Sequence, residues 1–285
     1  MTIAYLNGEF LPLEEARISP MDRGFLFGDG IYEVIPSYNG KLVGFLPHIN
    51  RMRDGLNAVE IAQTDSDQYW RGICEELSVR NGGGNLGIYI QVSRGADTKR
   101  HHAYPIGIAP TVFAYAFEIP AEPEAKRDTA KTLKVVSSLD QRWARCNIKS
   151  VALLGNVMHF QQGSASGKDE VLLFNERDEV TEGAACNVFV VKGGVIATPP
   201  LDNQILPGVT RQILLSILKQ SQSIAVQERV VTLDEAREAD EIWFSSSTKE
   251  VIPVVELDGD PVGDGAPGPI WEAAQTLFSQ QKYDY

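Results

Sequence analysis

The stretch Pro120-Ala121-Glu122-Pro123-Glu124-Ala125-Lys126-Arg127 limits this chain more than any other. Its prolines remove backbone donors and fix φ, and its charges favour water, so neither a helix nor an inner strand runs through it. Strand and helix signals recur on both sides. The chain is therefore expected to be α/β (α+β) in two parts: an N-terminal α/β domain over 1–120, a linker over 121–130 and a C-terminal domain over 131–285. A length of 285 residues accommodates two domains of ordinary size.

In the first half, residues 3–6 and 9–12 alternate around Asn7-Gly8, a hairpin signal. Asp22 to Gly30 holds three glycines and two aspartates and predicts a tight loop. Residues 31–35 alternate as a strand, and Tyr38-Asn39-Gly40-Lys41 reads as a turn. From Pro47 the period becomes helical, with Ile49, Met52, Leu56 and Val59 on one face. A second helix is expected from Ser66, packing Trp70, Ile73 and Leu77 and ending at Gly82-Gly83-Gly84. Strands over 85–94 and 110–119 enclose a polar crossing from Gly95 to Pro105.

The second half predicts a strand at 132–138 and a helix over 150–163 carrying Val151, Leu154, Val157 and Met158. Strands at 170–175 and 187–192 flank Thr181-Glu182-Gly183, and Lys192-Gly193-Gly194 turns into 195–198. Leu206-Pro207-Gly208-Val209-Thr210-Arg211 leads into a helix with Ile213, Leu214, Ile217 and Leu218. Thr232 with Glu235 forms a capping box, Ile242-Trp243-Phe244 reads as a buried strand, and Pro269 opens the last helix.

Composition narrows the function. A net charge of −12 argues against a nucleic-acid surface. No apolar run approaches the roughly 18 residues of a membrane span, and the N-terminal residues lack the basic and apolar regions of a signal peptide. Cys74, Cys146 and Cys186 are odd in number and widely spaced, which favours reduced thiols and a cytoplasmic setting. No His/Cys cluster has metal-ligand spacing.

A few residues invite a chemical reading beside a plainer one. Lys149 lies between apolar neighbours in Arg145-Cys146-Asn147-Ile148-Lys149-Ser150. It is either a solvated charge or an amine that holds an aldehyde cofactor as a Schiff base. Glu182 is either a turn glutamate in water or a carboxylate held against a ring nitrogen. Val209 and Thr210, at a helix start, are either a plain helix entry or an anion cup. The hydroxyls of Ser245 to Thr248 form a polar turn or a second anion contact, and Arg51 a surface charge or a phosphate fork. Arg100-His101-His102 is a solvated basic loop or a carboxylate grip.

Four motifs in order tie these residues together: Asp22-Arg23-Gly24-x-x-Phe27-Gly28-Asp29-Gly30-x-Tyr32-Glu33, Arg142-Trp143-x-Arg145-Cys146-x-Ile148-Lys149-Ser150, Thr181-Glu182-Gly183 with Asn187-Val188-Phe189, and Leu206-x-Gly208-x-Thr210-Arg211. Over nearly its whole length the chain resembles the D-amino acid aminotransferases among the fold type IV pyridoxal phosphate enzymes. That resemblance implies a smaller N-terminal domain, a larger C-terminal pseudo-barrel domain and a homodimer, with the Arg100 loop able to reach a partner subunit. It implies that Lys149 carries pyridoxal 5′-phosphate and that Glu182 meets its ring nitrogen. Arg51, Val209, Thr210 and Ser247 are then expected to hold its phosphate. Tyr32, Arg100 and His102 are expected to grip the substrate carboxylate, with His101 as the alternative to His102. His102 keeps the two-residue spacing from Arg100 when counted from Tyr104-Pro105.

The implied reaction passes an amino group from a D-amino acid, D-alanine first, to a 2-oxo acid such as 2-oxoglutarate by a ping-pong route. Ala184-Ala185-Cys186 stands where that family carries serines, which bears on rate and side-chain preference. The same fold also hosts branched-chain L-amino acid aminotransferases, (R)-amine transaminases and 4-amino-4-deoxychorismate lyases. A non-catalytic pyridoxal phosphate carrier is the reading from a different class.

Overall fold

The computed structural model describes residues Met1–Tyr285. The fold is mixed α/β, in two compact units. One holds Met1–Ala121, Ile148–Leu153 and Tyr285; the other holds Glu122–Asn147 and Leu154–Asp284. The segment bearing Lys149 thus belongs with the N-terminal residues.

In the first unit, β1 (Ile3–Leu6) and β2 (Glu9–Pro12) form the expected hairpin. The glycine-rich stretch is more than a loop, because it contains a short helix, α1 (Arg23–Phe27). Asp22 makes this possible by capping it: its carboxylate accepts the Gly24 N–H at 2.8 Å. Gly28 ends the helix in the left-handed region at φ 67°, and a Cβ there would lie 2.9 Å from the Ala152 backbone, so glycine is required twice over.

Next come β3 (Gly30–Tyr38), β4 (Lys41–Leu42), α2 (Phe45–Ala58), α3 (Asp67–Arg80), β5 (Asn85–Ser93) and β6 (Thr111–Glu118). Ser66 caps α3 as expected. The six strands form an antiparallel sheet in the order β2-β1-β6-β5-β3-β4. Alternation along β3 and β5 sends Ile31, Ile35, Ile88 and Ile90 into a core with Ile49, Met52, Leu56, Trp70 and Leu77 from the two helices. The other face carries half-buried aromatic rings, Tyr32, Tyr89, Tyr115, Phe113 and Phe117, spaced 5.3 to 5.9 Å centre to centre.

The second unit contains β7 (Leu133–Leu139), α4 (Leu154–Ala165), β8 (Glu170–Phe174), β9 (Val180–Gly183), β10 (Asn187–Lys192), β11 (Val195–Thr198), α5 (Val209–Ser221), β12 (Val226–Glu228), α6 (Leu233–Arg237), β13 (Glu241–Ser246), β14 (Glu250–Leu257), β15 (Asp260–Pro261) and α7 (Pro269–Gln281). Its strands run β12-β11-β10-β13-β14-β7-β8-β9, with β15 on β14. The sheet curls until β9 returns to β10, where the Gly183 N–H donates to the Cys186 carbonyl at 2.7 Å. Val135, Leu172, Val188, Val190, Ile242, Phe244 and Val254 fill the core of this curl.

Two expectations change here. The helix over 150–163 begins only at Leu154, and its large apolar residues do not face the unit's core: Leu154 is 72% exposed, Val157 58% and Met158 65%. The inward side is instead Gly155, His159 and Gly163, spaced by four. A Cβ on Gly163 would come within 3.0 Å of Val171, so the small side chain lets the helix sit close on β8. The other change is Thr181-Glu182-Gly183, expected between strands but found within β9 and buried. No helix is long and apolar enough to cross a membrane.

Candidate active site

Lys149 is placed by main-chain pairing. The Tyr32 N–H donates to the Lys149 carbonyl at 3.1 Å, Val151 N–H donates to the Gly30 carbonyl at 3.0 Å, and Ile31 bridges Ser150. The half-buried Lys149 side chain then projects over the Tyr32 ring, with Nζ 4.1 Å from its centre. Alternation along β3 puts the next residue, Glu33, on the opposite face, where it is fully buried. Arg51 binds it as a fork, Nε to Oε1 at 2.8 Å and Nη2 to Oε2 at 2.7 Å, and His48 Nδ1 lies 2.7 Å from Oε2. Burial alone would raise the Glu33 carboxyl, but Arg51 and His48 outweigh it and hold it at about 2. Arg51 is therefore a half-buried, oriented guanidinium and not a free surface charge.

Arg100 and His102 lie exposed in the crossing between β5 and β6. Both rest on Phe27, Arg100 with its guanidinium carbon 5.1 Å and His102 with its ring 5.3 Å from the Phe27 centre. His101 turns its Nδ1 to the Ala103 N–H at 3.2 Å. Tyr32 makes its own contacts with Lys149 and Tyr89, so the three expected carboxylate-binding residues are split over two aromatic platforms. A cavity of about 490 Å³ opens beside Tyr32, walled by Tyr89, Gln91, Phe113, Phe25 and Val151.

In the second unit Glu182 is 4% exposed on β9. Its Oε1 accepts from Arg142 Nη1 at 2.6 Å; its Oε2 accepts from the Leu206 N–H at 3.0 Å and from Asn187 Nδ2 at 3.1 Å. Burial pushes its carboxyl up to about 7 against the pull of Arg142 and Leu206, and Asp140 adds to the rise. Asp140 accepts Arg142 Nε at 3.0 Å and Nη2 at 2.7 Å, Nη2 also reaches the Gln204 carbonyl at 3.2 Å, and Asp140 accepts the Thr181 hydroxyl at 2.9 Å.

Asn187 links Glu182 to the start of α5. The same amide that reaches Glu182 donates to the Leu206 carbonyl at 2.8 Å. A Cβ on Gly208 would stand 1.9 Å from Asn187 Oδ1, so only glycine fits there. Gly208 supplies no side chain to cap α5, so the first-turn amides of Val209 and Thr210 are a candidate anion contact. Ser245 Oγ, on β13 directly across from Asn187, is buried without a hydrogen-bond partner. Ser247 follows in the half-buried turn to β14. A buried carboxylate, a bare helix start and an unpaired hydroxyl match a phosphorylated aromatic cation. The Ala184-Ala185-Cys186 turn is held without hydroxyls: Asn156 donates to the Ala184 carbonyl at 2.7 Å and Ala184 N–H to Glu170 at 3.2 Å.

Sequence reasoning gave no role to Arg142, Asp140, Asn187, Glu33 or His48. Arg142, Asn187 and Glu33 stand inside the motifs and could have been found there. His48 and Asp140 carry no local signal, since their partners are brought by tertiary pairing.

Residues 30–257 match the family described as Amino-transferase class IV. The D-alanine aminotransferase of Bacillus licheniformis is 38% identical over 272 residues, 95% of this chain and 94% of that protein. Among solved structures, the Escherichia coli branched-chain amino acid aminotransferase shares the fold with a TM-score of 0.89 at 24% identity, covering 98% of this chain and 93% of that one. The branched-chain aminotransferase of the thermophilic archaeon Thermoproteus uzoniensis, with norvaline, gives 0.86 at 22% identity, covering 100% and 96%. By the family match and the near-full-length identity together, this chain belongs to the class IV aminotransferases.

Proposed function

We propose that the enzyme transfers the amino group of a D-amino acid, D-alanine foremost, to a 2-oxo acid such as 2-oxoglutarate, with pyridoxal 5′-phosphate as cofactor. Lys149 would hold its aldehyde carbon, Glu182 its ring nitrogen, and Arg51, Val209, Thr210 and Ser247 its phosphate. When bound, that group supplies an electron sink for the charge developing at the substrate Cα. The reading rests most on one observation: Lys149 is fixed by backbone pairing to β3 with its amine over Tyr32, in a chain 38% identical to a D-alanine aminotransferase.

Lys149 Nζ is the base that takes the substrate Cα proton. Glu182 supplies negative charge where a ring cation needs it, and its carboxyl, held near 7 by burial, is stabilised in return as the anion. Arg100, His102 and Tyr32 orient the substrate by its carboxylate, which decides which Cα–H faces Lys149. The local engagement of His101 with Ala103 supports His102 as the working histidine. A cytoplasmic homodimer is part of the same proposal, supported by the buried free thiols and by the exposed Leu154, Val157 and Met158 of α4.

The fold similarity to branched-chain enzymes favours a second reading, transamination of L-branched-chain amino acids. Titrating the cofactor-loaded protein with D-alanine and, separately, L-leucine distinguishes them. D-alanine is expected to bleach the visible absorbance and L-leucine to leave it. Bleaching by L-leucine alone replaces the first reading with the second. Lys149→Ala is expected to lower D-alanine turnover by about 10³-fold or more, and normal turnover in that variant removes Lys149 from the chemistry.

A further inference from the structure

The motif Asp22 to Asp29 has a side chain that the chemistry above does not use. Arg23 on α1 is 3% exposed, and a buried guanidinium must satisfy its donors. Its Nε donates to Asp29 Oδ2 at 2.8 Å. Asp29 is shared: Arg94 takes the same oxygen at 2.7 Å and the other at 2.9 Å. One carboxylate facing two guanidiniums leaves donors over, and these go to carbonyls. Arg94 reaches Val59 and Glu60; Arg23 reaches His101 at 2.5 Å and His102 at 3.2 Å.

We propose that Arg23 is a positioning residue for the substrate-carboxylate loop, clasping the backbone at His101 and His102 and so fixing where Arg100 and His102 present their donors. The inference rests on the reading of those two residues as carboxylate-binding. From Lys99 to Pro110 the crossing has no helix or strand of its own, and Arg100 to Tyr104 are exposed. A loop of this kind needs a rigid scaffold to hold its side chains in place.

α1 is such a scaffold. Asp22, buried, caps it and also accepts Ser93 Oγ at 2.7 Å and Thr111 Oγ1 at 2.6 Å, from the two strands that bound the loop. The Arg23 N–H donates to the Gly95 carbonyl at 2.9 Å, pinning the loop where it leaves β5. Phe27, at the end of the same helix, carries three groups: Arg23 at 4.9 Å from its centre, Arg100 at 5.1 Å and the His102 ring at 5.3 Å. The short helix thus supplies both the clasp on the loop backbone and the platform under its side chains. Lysine could not substitute, because one ammonium cannot span Asp29 and two carbonyls as a planar fork does.

The test uses the cofactor-loaded protein and D-lactate, a carboxylate that cannot transaminate, with binding read from the visible absorbance. Amide hydrogen exchange over residues 100–104 is measured in parallel. Arg23→Met is expected to weaken D-lactate binding about tenfold or more, to speed exchange in the loop, and to leave pyridoxal phosphate affinity unchanged. Arg23→Lys, which keeps the charge on Asp29, is expected to recover thermal stability and not D-lactate binding; it decides the matter if the methionine variant does not fold. Arg100→Ala is the reference. If it weakens D-lactate binding while both Arg23 variants bind normally and exchange slowly, the clasp is refuted. If Arg100→Ala binds D-lactate normally, the carboxylate reading itself fails and the positioning role falls with it.

Discussion

Two buried glutamates, one in each unit, face an arginine and come out with opposite acidities. Glu33 lies at about 2 and Glu182 at about 7. Burial penalises both anions, so the partners make the difference. Arg51 turns two donors of its fork onto Glu33, and His48 adds a third contact. Arg142 gives Glu182 one donor, because Asp140 takes its Nε and its other edge. Glu33 is a permanent charge whose work is to hold Arg51. Glu182 keeps an appreciable proton affinity, which fits its proposed role opposite a ring nitrogen.

The sharpest way to break this contrast is Glu33→Gln. Removing one partner of a buried ion pair costs about 3 kcal/mol or more, so urea unfolding at pH 7 is expected to show a loss of that order. Because the folded carboxyl is depressed, its contribution is complete above its ordinary value of 4.5 and disappears as pH falls toward 2, so wild type and variant should converge there. An equal gap at pH 7 and at a pH near 2 would mean that Glu33 acts through shape alone.

Glu182→Gln should behave in the opposite sense. Its folded pKa is raised, so stability is lost as pH climbs from its ordinary value of 4.5 through about 7. The ligand-free variant is expected to match or exceed wild-type stability above pH 7, with the advantage fading as pH falls toward 4.5, while D-alanine turnover drops about 10²-fold. A variant as unstable as Glu33→Gln at pH 8 would erase the distinction. The smallest effect belongs to Asp140→Asn, which removes the charge competing for Arg142. The inflection that Glu182 puts into the pH–stability curve should then move below 7; no movement would remove Asp140 as a contributor beside burial.

The contrast also shows which parts of the molecule could be read from its residues. Turn glycines, helix caps and the order of strands and helices are local, and Asn7-Gly8, Ser66, Thr232 and Pro269 all lie where expected. Lys149, Glu182 and Thr210 are each ambiguous alone and gain an expected role only from the order of the four motifs that hold them. The partition of Arg142 between two carboxylates is set by β9 lying beside the segment after β7, and no spacing announces it. Helical periodicity failed on α4 for a related reason. Its apolar residues and its small ones recur at similar intervals, and what the helix packs against decided that Gly155 and Gly163 turn inward.

The Lys149 segment is held to β3 by main-chain bonds, Tyr32 N–H to the Lys149 carbonyl and Val151 N–H to the Gly30 carbonyl. For redesign this separates two jobs usually entangled in an enzyme. On the proposed role of Lys149, the cavity wall at Tyr89, Gln91 and Phe113 can be rewritten by substitution without touching the main-chain bonds that place the lysine. A scaffold of that kind would let the wall change while the placement of the proposed amine stays fixed.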